Sequence, residues 1–393
     1  MRLLPLRESI DLTKFLALGL SVLLACGCSQ ARESAPATSI ALGSVSHNMD
    51  VADVALAPGA ASACVAGSYI VDADAVVHSA VMLVDIAQKK LGWVAHIKPP
   101  AGAANLTAAA CRIHGNNLYV LANADSSSAR TTSQSSVHLY KYALSGELLK
   151  HAPLPVAASN AVGIALVELG GKLQVVGYTK DVDEKNEYYA MLLSNFDEGM
   201  AFQTKVLKTG AYNEQAAVRA LGGNLYMGGE FYMKTASRTD LASYYASSRV
   251  TPAGASQWSV RPQHQLVTRS ENIATAIGDD GSAYSLSHSK GNTSLIVVDP
   301  AGKAGAAKTY KSTYCAINSL AATAKGLFAI RRQCDRAKGK DALVWIDPVA
   351  GAEKTVKLLA QKPKFIGAAD GRWYGVGGSA DKLEFSIGTP GGQ

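Results

Sequence analysis

Eight histidines, six cysteines and a run of tyrosines are the residues of this 393-residue chain whose types could do chemistry. The histidines stand at 47, 78, 96, 114, 138, 151, 264 and 288, and no pair has H-x-H, H-x-x-x-H or H-E-x-x-H spacing. Adjacency therefore supplies no metal site, and none is expected. His138 falls inside an alternating segment beside Leu139 and reads as a packing or surface residue, while His114 precedes a turn and reads as solvated. Asp181-Val-Asp183-Glu184-Lys185-Asn186-Glu187 has the outline of a calcium loop. It lacks the glycine of the sharp turn and a correctly placed bidentate Glu, and Lys185 sits where an oxygen is needed, so a solvated loop is expected. Gly222-Gly223, Gly228-Gly229 and Gly377-Gly378 are followed by no helix pattern. A phosphate cradle needs a helix N-terminus, so these glycines mark strands where backbones approach closely. No G-x-S-x-G occurs, and no catalytic set or cofactor emerges from spacing.

The tyrosines are more suggestive. Tyr188, Tyr189, Tyr212, Phe231, Tyr232, Tyr244 and Tyr245 crowd one third of the chain. Aromatic rings with a polar tip suit recognition of glycan or protein, and Tyr188, Tyr189, Tyr232, Tyr244 and Tyr245 are the candidate binding residues. The alternative is that they fill a core between repeated units. Four of the cysteines, Cys64, Cys111, Cys315 and Cys334, lie well inside the chain without metal-ligand spacing. In an oxidising compartment an even number suggests disulfides. Cys315 and Cys334 flank a hairpin about Thr323–Gly326, whose paired positions sum to 649, as 315 and 334 do. Cys64 with Cys111 follows by elimination.

The elements that must position these residues repeat. A Gly or Asn turn leads into a short apolar strand at Gly115-Asn-Asn-Leu-Tyr-Val120, Gly171-Lys-Leu-Gln-Val-Val176, Gly223-Asn-Leu-Tyr-Met227, Gly281-Ser-Ala-Tyr-Ser-Leu286, Lys325-Gly-Leu-Phe-Ala-Ile330 and Gly371-Arg-Trp-Tyr-Gly-Val376. Aligned on Leu118, Leu173, Leu225, Ala283, Leu327 and Trp373, the steps are 55, 52, 58, 44 and 46, and Ala63 begins the series 55 earlier. A second landmark, a strand followed by a glycine turn, recurs at Gly146, Gly199, Gly254, Gly302 and Gly351, in steps of 53, 55, 48 and 49. Two landmarks in about 50 residues imply four strands per unit. Seven such units, with six or eight as neighbouring counts, describe an all-β chain folded as a β-propeller of four-stranded blades. The last unit, Phe365 to Ile387, has room for three strands. Ser39-Ile-Ala-Leu-Gly-Ser-Val-Ser46 could supply the fourth and close the ring.

Ahead of the repeats, basic residues precede Phe15-Leu-Ala-Leu-Gly-Leu-Ser-Val-Leu-Leu-Ala25, which runs into Cys26-Gly27-Cys28-Ser29. The apolar run is too short for a permanent span and has the length of a secretory h-region. Leu23-Leu24-Ala25-Cys26 resembles a bacterial lipobox, which implies a signal peptide over 1–25 and acylation of Cys26, with Cys28 the alternative. Gly27 or Ser29 after the cysteine, where an Asp would retain a lipoprotein in the inner membrane, implies the outer membrane by analogy with enteric lipoproteins. Residues 26–38 read as a flexible tether and 39–390 as a single propeller domain.

The formal charge of +7 falls to about +6 without the leader, and much of the excess lies late, from Lys303 to Lys340. That excess is a cationic patch for anionic lipid, polysaccharide or protein, or an ordinary solvated surface. Nucleic acid is not expected.

The recurrent Gly-x-Leu-Tyr unit resembles the degenerate repeats of bacterial β-propeller lipoproteins over about residues 39–390. The outer-membrane barrel assembly machinery contains the best-known member, whose last strands carry a Trp in most blades. Here only Trp93 and Trp258 stand near such a place. The resemblance implies a rigid disc used for binding, anchored to the membrane through its N-terminal lipid and facing an envelope protein or polysaccharide. The alternative is a propeller enzyme, a lyase, hydrolase or lactonase on exported carbohydrate, with its site at the central channel.

Overall fold

The computed structural model describes residues 38–43, 49–71, 75–126, 134–156, 160–182, 187–207, 215–234, 241–260, 265–266, 273–289, 291–323, 326–334, 340–359, 363–369, 372–379 and 382–388. Cys26, Cys28, Tyr212 and most of the expected tether lie outside them. Among the described residues there is no α-helix; one short 3-10 turn, Pro58–Ala60, is the exception to strand and turn.

Short apolar runs bounded by Gly, Asn and Asp turns cannot shield both faces alone, and they assemble into seven antiparallel sheets. Blade one is Asp50–Leu56, Ser62–Val71, Val76–Asp85 and Lys90–Ile97, and blade two is Asn105–His114, Asn117–Asp125, Ser135–Ala143 and Leu148–Pro153. Blade three is Ala161–Leu169, Lys172–Val182, Glu187–Phe196 and Phe202–Leu207. Blade four is Gln215–Leu221, Asn224–Lys234, Leu241–Val250 and Ser256–Val260, and Gln265–Leu266 continues its outer edge by pairing with the third strand. Blade five is Ile273–Ile277, Ala283–Ser289, Asn292–Val298 and Lys308–Lys311, and blade six is Tyr314–Thr323, Gly326–Gln333, Asp341–Asp347 and Ala352–Leu358.

Blade seven contains Pro363–Ala369, Arg372–Ser379 and Lys382–Gly388, and its outer strand is Thr38–Gly43 from the other end of the chain. Thr38 pairs with Ile387 and Ile40 with Phe385, so the N-terminal strand closes the ring as its position suggested. Ile40 and Leu42 are buried in one core with Met49, Tyr69, Val376 and Phe385 of blades one and seven. The first strands of successive blades touch all the way round, including blade seven against blade one. The fold is thus a closed seven-bladed β-propeller.

The strands alternate in direction, which gives the disc two unlike poles. First-to-second and third-to-fourth connections, several of them glycine turns among the described residues, lie at one end, here the turn pole. Second-to-third connections and the links between blades lie at the other, the loop pole.

The glycine beat has a packing cause. In blade one's outer strand, Trp93 Nε1 donates to Leu144 O at 2.8 Å, in the turn of blade two. A Cβ on Gly146 in that turn would stand 3.1 Å from the Trp93 ring, and Gly146 has φ +97°, so only glycine fits comfortably. Blade four repeats this arrangement on blade five. Trp258 Nε1 donates to Pro300 O at 3.2 Å, and the ring covers Gly302. In blade three Leu207 takes the equivalent place against Gly254, which is why the unit persists without a recurrent Trp.

Both disulfides form. Cys64 and Cys111 join blade one to blade two with Cα atoms 6.2 Å apart, and Cys315–Cys334 bridges the first two strands of blade six at 4.8 Å. The expected hairpin register holds from Thr323↔Gly326 to Ser319↔Ile330. Two irregularities then shift it, so Ile317 faces Arg331 and Tyr314 faces Gln333. Cys315 sits at the second irregularity rather than directly opposite Cys334 in the ladder, a correction that short-range spacing could not anticipate.

Candidate binding face and central channel

The first strands surround a channel of about 670 Å³. Its wall is dominated by small residues, Ala52, Ala109, Ala165, Ala217, Ala274 and Ala368 among them. The charged groups on it are engaged. Asp53, on the wall, accepts the Cys111 N–H at 2.9 Å through Oδ2, and burial pushes its carboxyl up against the opposing pull of Arg112. Arg112 donates to Leu166 O of blade three through Nη2 at 2.9 Å, and Arg219 reaches Ile277 O and the Asp279 carboxylate of blade five. These groups hold blade to blade. His114, expected to be solvated, stands 3.3 Å from Glu168 through Nδ1 at the edge of blade three.

The candidate tyrosines occupy a different place. Tyr188 and Tyr189 pair with Asp181 and Lys180 at the loop-pole end of blade three. Tyr232 pairs with Ser243, Tyr244 with Phe231 and Tyr245 with Glu230, in the loop-pole half of blade four. The backbone therefore brings all five to the same pole of adjacent blades. Of the stretch 181–187, which the sequence reads as a solvated loop, Asp181, Val182 and Glu187 are strand residues instead, and 183–186 lie outside the described residues.

Two polar clusters on the same side went unnoticed in the sequence because cross-strand pairing creates them. In blade one the Tyr69 hydroxyl lies 2.9 Å from His96 Nδ1, and the His78 ring centroid is 5.8 Å from that of Tyr69. Burial pushes the Tyr69 phenol up. In blade two His138 Nδ1 lies 2.9 Å from His151 Nε2, Ser136 Oγ lies 2.9 Å from His138 Nε2, and His151 stacks on Tyr140 at 4.2 Å. Burial, with His151 alongside, lowers His138 to about 4, and burial raises Tyr140 and Tyr142 to about 12. His138 is thus the packed residue its alternating segment suggested.

Between blades five and six, the Arg331 side chain is 0% exposed and ion-pairs with Glu353. It also donates to Ala316 O at 3.1 Å and to Thr293 Oγ1 at 3.0 Å, with His288 Nδ1 3.3 Å away. Ser312 hydrogen-bonds the other Glu353 oxygen at 2.6 Å. A buried charge so fully partnered is a structural fastener. No group of three or more His, Cys, Asp or Glu arranged to hold a metal occurs among the described residues.

No family model matches the chain, and no curated protein does. Solved structures match it over most of its length. The structure of the Dos1 propeller is 12% identical, with a TM-score of 0.53, and the match covers 92% of this chain and 97% of that one. The crystal structure of polysaccharide lyase Uly1 is 11% identical, with a TM-score of 0.55 and coverage of 92% and 94%. Likeness at this identity shows a class, the seven-bladed β-propeller, and not an activity.

Proposed function

We propose that this protein is a lipid-anchored binding module of the bacterial envelope, acylated at Cys26 or Cys28 and engaging a protein or glycan of the envelope with the loop pole of blades three and four. The observation that carries the reading is the convergence of Tyr188, Tyr189, Tyr232, Tyr244 and Tyr245 on one pole of neighbouring blades. Support also comes from a channel whose charges are spent on blade-to-blade contacts. Tyrosine gives large contact area with little conformational entropy to lose, which suits such a face.

The test has two arms. Replacing Cys26 and Cys28 by Ser should move the protein from washed membranes to the soluble fraction; continued retention would remove the anchor from the reading. Crosslinking in intact envelopes should yield a partner that is lost when Tyr188, Tyr189, Tyr244 and Tyr245 are replaced by Ala. The partner should be kept when exposed Lys205, on the outer strand of blade three, is replaced by Ala. Capture that ignores both changes would overturn the assignment of the face.

A second reading is an enzyme acting on anionic polysaccharide. It is favoured by the likeness to a polysaccharide lyase and by the Tyr69–His96 pair, since a phenol and an imidazole in contact can exchange a proton with a sugar ring. β-Elimination would create an unsaturated uronate absorbing in the ultraviolet. Appearance of that signal with uronate polymers, and its loss in Tyr69→Phe, would replace the binding-module reading.

A further inference from the structure

We infer that a cleft on the turn pole, at the boundary of blades two and three, is a binding site for a neutral pyranose sugar, with the Tyr119 hydroxyl among its hydrogen-bonding groups. The cleft lies at the opposite pole from Tyr188, Tyr189, Tyr232, Tyr244 and Tyr245. It is therefore a second site, and it stands or falls separately from the face proposed for the envelope partner.

Strand register shows why this boundary is under-filled. Pairing sets Trp93 opposite Leu83, Trp258 opposite Arg249 and Lys150 opposite Lys141, each directly beside an irregularity in the ladder. Lys150 thus holds the place that an indole holds in blades one and four. It still reaches the next turn: Lys150 Nζ donates to Gly199 O, and Lys141 Nζ to Glu198 O at 2.8 Å. What a lysine does not supply is bulk. Trp93 rests on Tyr142, just ahead of the turn of blade two, with ring centroids 5.7 Å apart. Phe196 has the corresponding place ahead of the turn of blade three, and it lines a cleft of about 460 Å³. That volume falls within the roughly 300–1,000 Å³ of small-molecule sites.

The floor is apolar. Tyr119, Leu173, Phe196 and Phe202 line it, with the Phe196 ring centroid 5.6 Å from that of Tyr119 and 5.9 Å from that of Phe202. Tyr119 is 2% exposed, and its hydroxyl, which is open to the cleft rather than sealed, has no hydrogen-bond partner among the described residues. A nearly buried polar group that the protein leaves unpaired is available to a ligand. Burial, with the Glu198 carboxylate alongside, pushes the phenol up, so at neutral pH it keeps its proton and can donate. Gly171 has φ +75° and no atom within 4 Å of where a Cβ would stand, so that side of the mouth is open.

The rim selects the class of ligand. Asp197 and Glu198 stand on one side, and Lys172 with His114, itself beside Glu168, on the other. Both signs of charge over one small mouth suit neither an anion nor a cation. The Tyr119 ring already has the Lys141 ammonium 5.8 Å from its centroid, so a ligand cation would find that place taken. Hydroxyl groups donate and accept, and so can meet carboxylate, ammonium, imidazole and phenol alike. A pyranose presents such hydroxyls at its edge and an apolar C–H face to an aromatic floor, on which half-buried Phe202 is the most accessible ring.

The experiment titrates the full chain with the methyl glycosides of glucose, galactose, mannose and N-acetylglucosamine, and with those of glucosamine and glucuronate as charged counterparts, followed by saturation-transfer NMR. At least one neutral sugar should bind at millimolar concentration, with saturation reaching the C–H protons of one ring face, and the charged counterparts should bind more weakly. Tyr119→Phe should weaken binding roughly tenfold through the lost hydrogen bond. Ala201→Trp, at an exposed position on the lining, should fill the cleft and abolish binding. Tyr188→Ala with Tyr189→Ala, at the other pole, should leave it unchanged. Because the Tyr119 hydroxyl has no protein partner, Tyr119→Phe should melt no lower than the parent, a readout that needs no sugar. The inference is overturned by no binding of any neutral sugar, by tighter binding of either charged one, or by binding that ignores Tyr119→Phe or Ala201→Trp. Loss of binding in the Tyr188 and Tyr189 variant would place the sugar at the loop pole and overturn it too, as would a lowered melting temperature for Tyr119→Phe.

Discussion

Single residues in this protein act mostly across blade boundaries, and their removal should be felt as loosened neighbours. Cys64 and Cys111 are both fully buried and close a loop of 47 residues between blades one and two. Replacing both by Ala should lower stability by about 2–4 kcal/mol, read as a fall in the denaturation midpoint, with reductant costing the parent chain at least as much, since it also opens Cys315–Cys334. The His138–His151 contact carries a pH signature. It needs one donor and one acceptor, so two protonated rings cannot keep it. With His138 lowered to about 4 in the fold and near 6.5 unfolded, the folded state prefers the neutral ring. That stability is complete above pH 6.5 and drains away as pH falls toward 4, by at most on the order of 3 kcal/mol. Melting temperature followed from pH 7 to 4.5 should drop less steeply in His138→Gln than in the parent. Parallel profiles would remove His138 as the cause.

At the scale of the element, the closing strand is the sharpest case. Thr38–Gly43 pairs with Lys382–Gly388 and buries Ile40 and Leu42 between blades seven and one. Deleting it should cost several kcal/mol, since each such side chain contributes about 1.5–3 kcal/mol by burial alone and the partner strand loses its ladder. Ile40→Ala should cost about 2–5 kcal/mol by itself. An unchanged melting temperature would show that blade seven stands without it. This strand was legible in the sequence because blade seven has length for only three strands, leaving an apolar segment at the other end without a partner. The seven units were legible for a related reason. Gly146 and Gly302 recur because a side chain from the previous blade lies on each, so the spacing is a packing requirement written into the chain. The Tyr69–His96 and His138–His151 contacts were not legible, because each depends on which residues of separate strands come level, and no short-range pattern records that. The shift of register before Cys315 escaped for the same reason: spacing counts residues, and an irregularity adds one without changing their type.

The whole molecule behaves as a ring, and a ring has no terminal repeat. In a linear array each end unit has one neighbour and frays first. Here every first strand has a neighbour on either side, blade seven is knitted from both ends of the chain, and a disulfide and a buried Arg331–Glu353 pair reinforce two of its sectors. Opening any boundary exposes two blade faces at once, with their apolar cores and unpaired strand edges, so local opening has little advantage over global unfolding. Hydrogen exchange followed by mass spectrometry should therefore give peptides from the second and third strands of all seven blades a common slow rate, set by global unfolding. Removing Thr38–Gly43 converts the ring into an arc. Exchange should then accelerate first in blades seven and one and last in blades three to five, and the single denaturant transition should broaden. A graded pattern already present in the intact chain, with blades one and seven fastest, would mean that the strand pairing at the seam does not couple the two ends, and the disc would have to be treated as an open array.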